Sequence, residues 1–364
     1  MYLALRDLRF AKGRFVLMGG VVALITLLLV LLSGLTAGLG NQSTSALAAL
    51  PADQIVFGAP AGDSATASFT ESEVTRGQWS QWAARKGVAQ AELLGISQSR
   101  FQAVGPAGTP TGTASVAVFG TDGTGLAPAP LAEGTVVVGS SLAEELELRA
   151  GSLATVGGTE LTVSAVVPDQ WYSHTGVVWT TLADWRTLAH ITGSEAAATV
   201  IAVTSEDGQT LDAAAANAAA GTISTTRDGS FQALGSYKSE NGSLLLMQAF
   251  LYGISALVIV AFLTVWTVQR TRDIAVLKAL GGSSGYVLKD AMVQAAIVLL
   301  AGAATGGAAG VAGGVLAAGA APFLLTPQTI LLPVAGIVVL GLAGATLAVR
   351  SITRVDPLMA LGGN

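Results

Sequence analysis

The sequence predicts an α-helical membrane protein with four transmembrane helices and a mixed α/β extracytoplasmic domain between the first and second. Three observations predict it. Of the 364 residues, 51% are hydrophobic and only 11% charged, far from the balance of a soluble domain. Four apolar runs (Phe15 to Leu39, Leu244 to Val268, Ala291 to Ala320, Thr329 to Val349) can each cross a hydrocarbon core of about 30 Å at about 1.5 Å per residue. The long segment between the first two runs carries strand and helix signals instead.

The elements follow in order. Residues 1–14 lie in the basic amphipathic stretch "MYLALRDLRFAKGRF" and read as a cytoplasmic surface helix. Residues 15–40 form the first span. An apolar core this long exceeds the roughly 7–15 residues of a signal peptide, so the span is expected to be retained. Residues 41–243 form the outer domain, 244–268 the second span, 269–288 a cytoplasmic loop, 289–320 and 329–349 the third and fourth spans, and 350–364 a tail. The four apolar runs contain no Asp, Glu, Lys, Arg or His, which argues against a proton relay or a secondary transporter.

Charge sets the orientation. Arg6, Arg9, Lys12 and Arg14 precede the first span, Arg270, Arg272, Lys278 and Lys289 lie between the apolar runs of the second and third, and Arg350 and Arg354 follow the fourth. Short basic segments stay inside, so both termini are expected to be cytoplasmic. Ten of the 18 basic residues then face inward with four acids, leaving an outer domain with eight basic and 19 acidic residues. Nothing here points to nucleic acid.

Within the outer domain, "QIVFGA", "AELLGISQ", "SVAVFG", "GTVVVG", "LATV", "ELTVSAVV", "GVVWTT" and "TVIAVT" read as strands. A hairpin is expected at Gly157–Gly158. Helices are expected from Thr70, with Glu73 completing a capping box, from Ser140 or Ser141 with Glu144, and over the alanine-rich "DAAAANAAAG". "GPAGTPTGTAS" reads as a flexible turn.

Several chemistries are excluded. No cysteine is present, which removes disulfides, thiolate metal sites and cysteine nucleophiles, and two histidines cannot build a multi-histidine metal centre. No G-x-x-x-x-G-K-[ST] motif is present to cradle nucleotide phosphates. In the third span Gly302, Gly306, Gly310 and Gly314 recur every fourth residue. The row fits a close helix contact, within the chain or across a dimer, or simply the glycine and alanine usage of a spanning helix.

The loop segment "QRTRDIAVLKALGGSS" places Ile274, Leu277 and Leu280 on one helical face, with Arg272, Asp273 and Lys278 on the remainder. Such a helix could dock in the groove of a cytoplasmic partner or rest on membrane lipid. "QRTRDIAVLKALGGSSGYV" resembles the cytoplasmic signature of the FtsX/MacB family of ABC-transporter permeases, close to E-R-x-R-E-I-A-x-L-K-A-x-G-A-S. Gln269 and Gly282 depart from that pattern. The order of spans, the amphipathic N-terminus (the family's elbow helix), the stretch "GTVVVGSSLAEELELRAGSLATVGGTELTVSAVVPD" and the tail "RVDPLMALGG" are similar to the same family.

That resemblance implies a non-catalytic subunit in the bacterial cell membrane, paired with a second copy of itself. Two separate ABC ATPase subunits would bind the ATP, with Arg272, Ile274, Leu277, Lys278 and Leu280 forming the coupling helix. "PDQWYSHTGVVW" and "SYKSENGSLLLMQ" look most like the haem-exporting HrtB-type branch, which implies haem as substrate and no intrinsic cofactor. Glu240, Tyr237, Met247, Tyr172 and His174 are the haem-contact candidates. Glu240 and Met247 are one seven-residue step apart on a helix, and tyrosinate, thioether and carboxylate oxygens suit haem iron. The plainer reading of the first three is a solvated first-turn acid, an interfacial aromatic and a lipid-facing side chain. The family also contains mechanotransmitters acting on cell-wall hydrolases and MacB/Lol-type exporters of other amphiphiles.

Overall fold

The computed structural model describes residues 12–59, 66–105, 108–122, 125–192, 196–269 and 283–353. The chain folds as two compact units, Gly40–Asn241 and the combination of Met1–Leu39 with Gly242–Asn364.

In the Gly40–Asn241 unit, six strands pair in a ring: β3 (Val88–Val104), β4 (Pro110–Gly120), β9 (Thr175–Thr180), β5 (Thr135–Gly139), β7 (Thr159–Val167) and β6 (Leu153–Val156), which returns to β3. β3 joins two assemblies. Its first half, Val88 to Leu94, pairs with β11 (Val200–Ser205), which leads to β1 (Gln54–Gly58) and β12 (Thr222–Thr226). Its last residues, Phe101 to Val104, pair with β6.

Period-two alternation explains why several strands read as unbroken apolar runs. In β5, Val136 and Val138 enter one hydrophobic cluster and Val137 the other. In β9, Val178 faces the first cluster while Val177 and Trp179 face the second. Strands buried on both faces need apolar residues at every position. One close packing was hidden in the sequence. Gly95 and Gly120 are register partners, and a Cβ on either would lie 2.2 Å from Trp185 of α4 (Leu182–Leu188). The glycine pair is the floor on which that indole rests.

Local expectations fared unevenly. The hairpin turns at Gly157–Gly158, with Val156 opposite Thr159 and both glycines at positive φ. The alanine-rich helix α5 (Ala213–Ala220) is capped by Asp212 and ends on left-handed Gly221. The box expected at Thr70 and Glu73 is instead formed by Thr75 and Gln78 at the start of α2 (Arg76–Ala83), with bonds of 3.1 and 2.9 Å. The reason is β2 (Val74–Thr75), which pairs with β10 (Ala196–Ala198) and keeps the chain extended to residue 75. At α3 (Ser140–Glu145) no residue of the helix caps itself; Asp169 accepts from the Ser141 amide at 2.8 Å. The supposed flexible turn from Gly105 is mostly β4, which begins at Pro110.

Among the described residues, four helices that lie wholly or mostly in the other unit are long and apolar enough to cross a membrane: Phe15–Ala48, Gly235–Trp266, Lys289–Ala317 and Pro327–Ala348. They lie within α1 (Lys12–Ala48), α6 (Gly235–Gln269), α7 (Ser284–Ala317) and α8 (Pro327–Thr353), of which α1 and α6 each contribute one end to the Gly40–Asn241 unit. Ser283 caps α7 by accepting from the Tyr286 amide at 3.2 Å. Met18, Val22, Leu29, Ile259, Leu299, Ala303 and Ile337 belong to the core of this unit.

Candidate functional site

The site grows from a two-residue hairpin. β8 (Trp171–Tyr172) pairs with the start of β9, with Tyr172 opposite Thr175, leaving Ser173 and His174 as the turn. Both have positive φ, 49° and 63°, the left-handed geometry of type I′ hairpin turns. Tyr172 anchors the base. Its ring lies edge-on to Phe69 and Phe119, with centroids 5.8 and 5.4 Å away, and burial pushes its phenol up from the ordinary value. A tyrosinate there would be costly, and the ring serves packing.

The tip of the turn meets the ends of two helices. On α1, the amides of Ser173 and His174 donate to the carbonyls of Ser43 and Gln42, both at 3.0 Å, and the Trp171 amide donates to Ser45 Oγ at 2.8 Å. On α6, Ser173 Oγ lies 3.1 Å from Ser236 Oγ, and His174 Nε2 lies 2.9 Å from Glu240 Oε2. A carboxylate without its proton only accepts, and toward that form of Glu240 the imidazole donates through Nε2. Ser43 Oγ is 3.1 Å from the same nitrogen. With both partners on Nε2, the trio cannot relay a proton from serine to acid, which requires opposite ring nitrogens. It is a polar junction, not a hydrolytic triad. The His174 and Glu240 side chains keep 31% and 43% of their exposure, so an incoming ligand can reach them.

The structure thus brings together Glu240 and His174, with Tyr237 one turn away on α6. Tyr237 is partly buried and packs edge-on to Phe231 at 6.1 Å. Its ring also passes Gly40, whose added Cβ would lie 3.6 Å from Cε2. Met247 lies further along α6, 50% exposed, and belongs to the other compact unit. Arg272, Ile274, Leu277, Lys278 and Leu280 lie outside the described residues, as do residues 1–11 and 354–364. Sequence reasoning overlooked Ser43, Ser45, Ser173 and Ser236. For Ser43 and Ser45 the signal was the polar cluster "NQSTS" at the end of an apolar run, and Ser173 and Ser236 lie within "PDQWYSHTGVVW" and "SYKSENGSLLLMQ".

The glycine row of α7 lies mainly against α1. A Cβ on Gly302 would stand 2.8 Å from the Gly19 carbonyl oxygen, on Gly306 2.1 Å from that of Ala23, and on Gly310 2.8 Å from Val30. On Gly314 it would meet the Phe323 ring at 2.5 Å.

Among the described residues, four apolar helices with a mixed α/β domain between the first and second give the architecture of a multi-pass membrane protein. Comparison with known proteins refines this. Residues 15–220 match the MacB-like periplasmic core domain and residues 245–357 the FtsX-like permease C-terminal family. The chain belongs to the FtsX/MacB family of ABC-transporter permeases and is a multi-pass protein of the plasma membrane.

Among curated relatives, a protein of Staphylococcus epidermidis named putative hemin transport system permease protein HrtB is 29% identical over 143 residues, 39% of this chain and 41% of that one. A protein of the same name from Staphylococcus haemolyticus is 30% identical over 130 residues, 36% of this chain and 37% of its own length. An uncharacterized ABC transporter permease of Mycobacterium bovis is 29% identical over 128 residues, 33% and 34% of the two chains. The aligned part is therefore less than half of each relative. Among solved structures, the periplasmic region of MacB from Actinobacillus actinomycetemcomitans aligns with 50% of this chain and 92% of its own, at 12% identity and a TM-score of 0.36.

Proposed function

We propose that the chain is the permease subunit of an ABC exporter that extrudes haem from the membrane. Two copies pair with two cytoplasmic ATPase subunits, which bind and hydrolyse the ATP; the permease itself performs no bond-making chemistry. The segment 269–288, with Ile274, Leu277 and Leu280 on its apolar face, is the coupling element, and both termini face the cytoplasm. Force generated on nucleotide closure passes along the helices to the outer domain.

The cargo reading is supported by the hemin-permease names of the staphylococcal relatives. It is supported further by a junction holding an acid and an imidazole 2.9 Å apart, both still accessible. Imidazole is an established haem-iron donor, and a carboxylate supplies an oxygen ligand. Glu240 is the leading contact, with His174 and Tyr237 beside it and Met247 assigned from helical spacing. Tyr172 is left out because its ring is committed to the core.

Haem titration of the purified permease, followed by Soret absorbance, tests the assignment. Wild type is expected to bind, Glu240→Ala to lose most binding, and Tyr237→Phe and Met247→Leu to lose less. If all three variants bind as wild type does, the site is elsewhere. An outer domain that co-purifies with a cell-wall hydrolase, from a permease with no haem absorbance, would replace this reading with that of a mechanotransmitter.

A further inference from the structure

We infer that the Ser173–His174 turn is a latch joining the ends of α1 and α6, permanently seated on α1 and releasable from α6. The inference rests on the reading of the chain as an ATP-driven permease and is independent of the cargo.

The first ground is an unfavourable local choice. A type I′ turn needs positive φ at both central residues and normally uses Asn-Gly or Gly-Gly. Here Ser173 and His174, neither of them glycine, hold φ of 49° and 63°. Such outliers persist where the surroundings over-determine them. What over-determines this turn is contact, because both side chains that make the geometry unfavourable reach α6, where glycine would reach nothing.

The second ground is the asymmetry of the two sides. Toward α1, the segment donates three backbone amides, from Trp171, Ser173 and His174. Backbone groups buried in such a contact must be paired, so this side resists opening. Toward α6, the contact is two side-chain pairs, Ser173 with Ser236 and His174 with Glu240. Both are solvent-accessible, and water can replace them at little cost. The hairpin itself cannot yield first, since Tyr172 is wedged between Phe69 and Phe119. Opening therefore frees α6 from the turn while the turn stays on α1, and the same step releases Glu240.

The chain contains no cysteine, so a single engineered disulfide can be read without background. Ser173 and Ser236 hold their hydroxyl oxygens 3.1 Å apart, which makes the two positions the natural pair for a cross-linking test. The permease carrying Ser173→Cys and Ser236→Cys is reconstituted with its ATP-binding subunit. Oxidation without nucleotide is expected to cross-link the pair and to reduce ATP turnover to that of the ATP-binding subunit alone. Reductant is expected to restore it, and each single variant should be indifferent to oxidation.

A cross-linked permease that turns over at the reduced rate overturns the latch, as does a pair that fails to cross-link. A wild-type chain that never stimulates its ATP-binding subunit overturns the permease reading and the latch with it. Should the double variant fail to fold, His174→Asn provides the second test. Asparagine tolerates the turn but cannot span to Glu240, so maleimide labelling of a lone Ser236→Cys should rise in that background. Unchanged labelling refutes the latch.

Discussion

Glycine does different work in the two compact units: in the outer one Gly95 and Gly120 make room for one side chain, the Trp185 indole, and others supply backbone freedom, whereas in the membrane one glycine lets helix backbones meet. In the outer unit Gly157 and Gly221 supply positive φ, turning a hairpin and ending a helix. In the membrane unit the glycines of α7 are helical, and what matters is the missing side chain: Gly306 lets α7 approach the backbone of α1 so closely that a Cβ would stand 2.1 Å from the Ala23 carbonyl. The difference follows from the solvent. In water, burying aromatic and branched side chains drives packing, as with Trp82, Trp179 and Phe119 of the outer core. In lipid that drive is absent, and helices gain by close approach and dispersion contact.

This contrast can be broken by experiment. The largest effect is expected from Trp179→Ala, which empties a site only 1% exposed and should destabilise the outer unit by about 3–5 kcal/mol. Thermal unfolding followed by near-UV circular dichroism reads it. Next comes Gly306→Ala, expected to cost about 1–3 kcal/mol through overpacking against α1. Its control is Gly253→Ala on α6, where nothing lies within 4 Å; helix propensity alone should make that change neutral or stabilising by up to about 1 kcal/mol. If the two substitutions behave alike, the close-approach account of α7 fails.

Smaller effects test the outer unit's polar details. Thr75→Ala removes one half of the capping box and should cost about 1 kcal/mol. Glu92→Gln should change the pH dependence more than the stability itself. Burial raises the Glu92 pKa, against smaller opposing effects of the Gln90 and Gly125 hydrogen bonds. One of its carboxyl oxygens has no hydrogen-bond partner. Neutral Glu92 therefore contributes stability that is complete below the ordinary carboxylate range and is lost as pH rises through the raised folded value. Urea midpoints across that range should fall less steeply with rising pH in Glu92→Gln than in wild type. Equal slopes would contradict the assignment.

The membrane spans were legible because length and hydropathy alone determine them, and the strands because β-branched runs such as "GTVVVG" leave few alternatives. Helix starts were less so, since pairing of Val74 and Thr75 with a distant strand decides where α2 can begin, and Asp169 caps α3 from 28 residues away. The candidate site was half legible. Glu240 and His174 were singled out by residue type, yet their pairing across 66 positions depends on the turn and on serines that composition makes anonymous. Tyr172 shows the converse, a plausible ligand by chemistry that the aromatic core has claimed.

The central claim is that ATP hydrolysed by a separate subunit drives haem out through this chain. Haem-loaded permease reconstituted with its ATP-binding subunit tests it most directly, with haem followed by absorbance as ATP is added. The account predicts haem loss that requires ATP, requires the partner and fails in Leu277→Asp. Haem loss at the same rate without ATP or without the partner, or a permease that never retains haem, would contradict it.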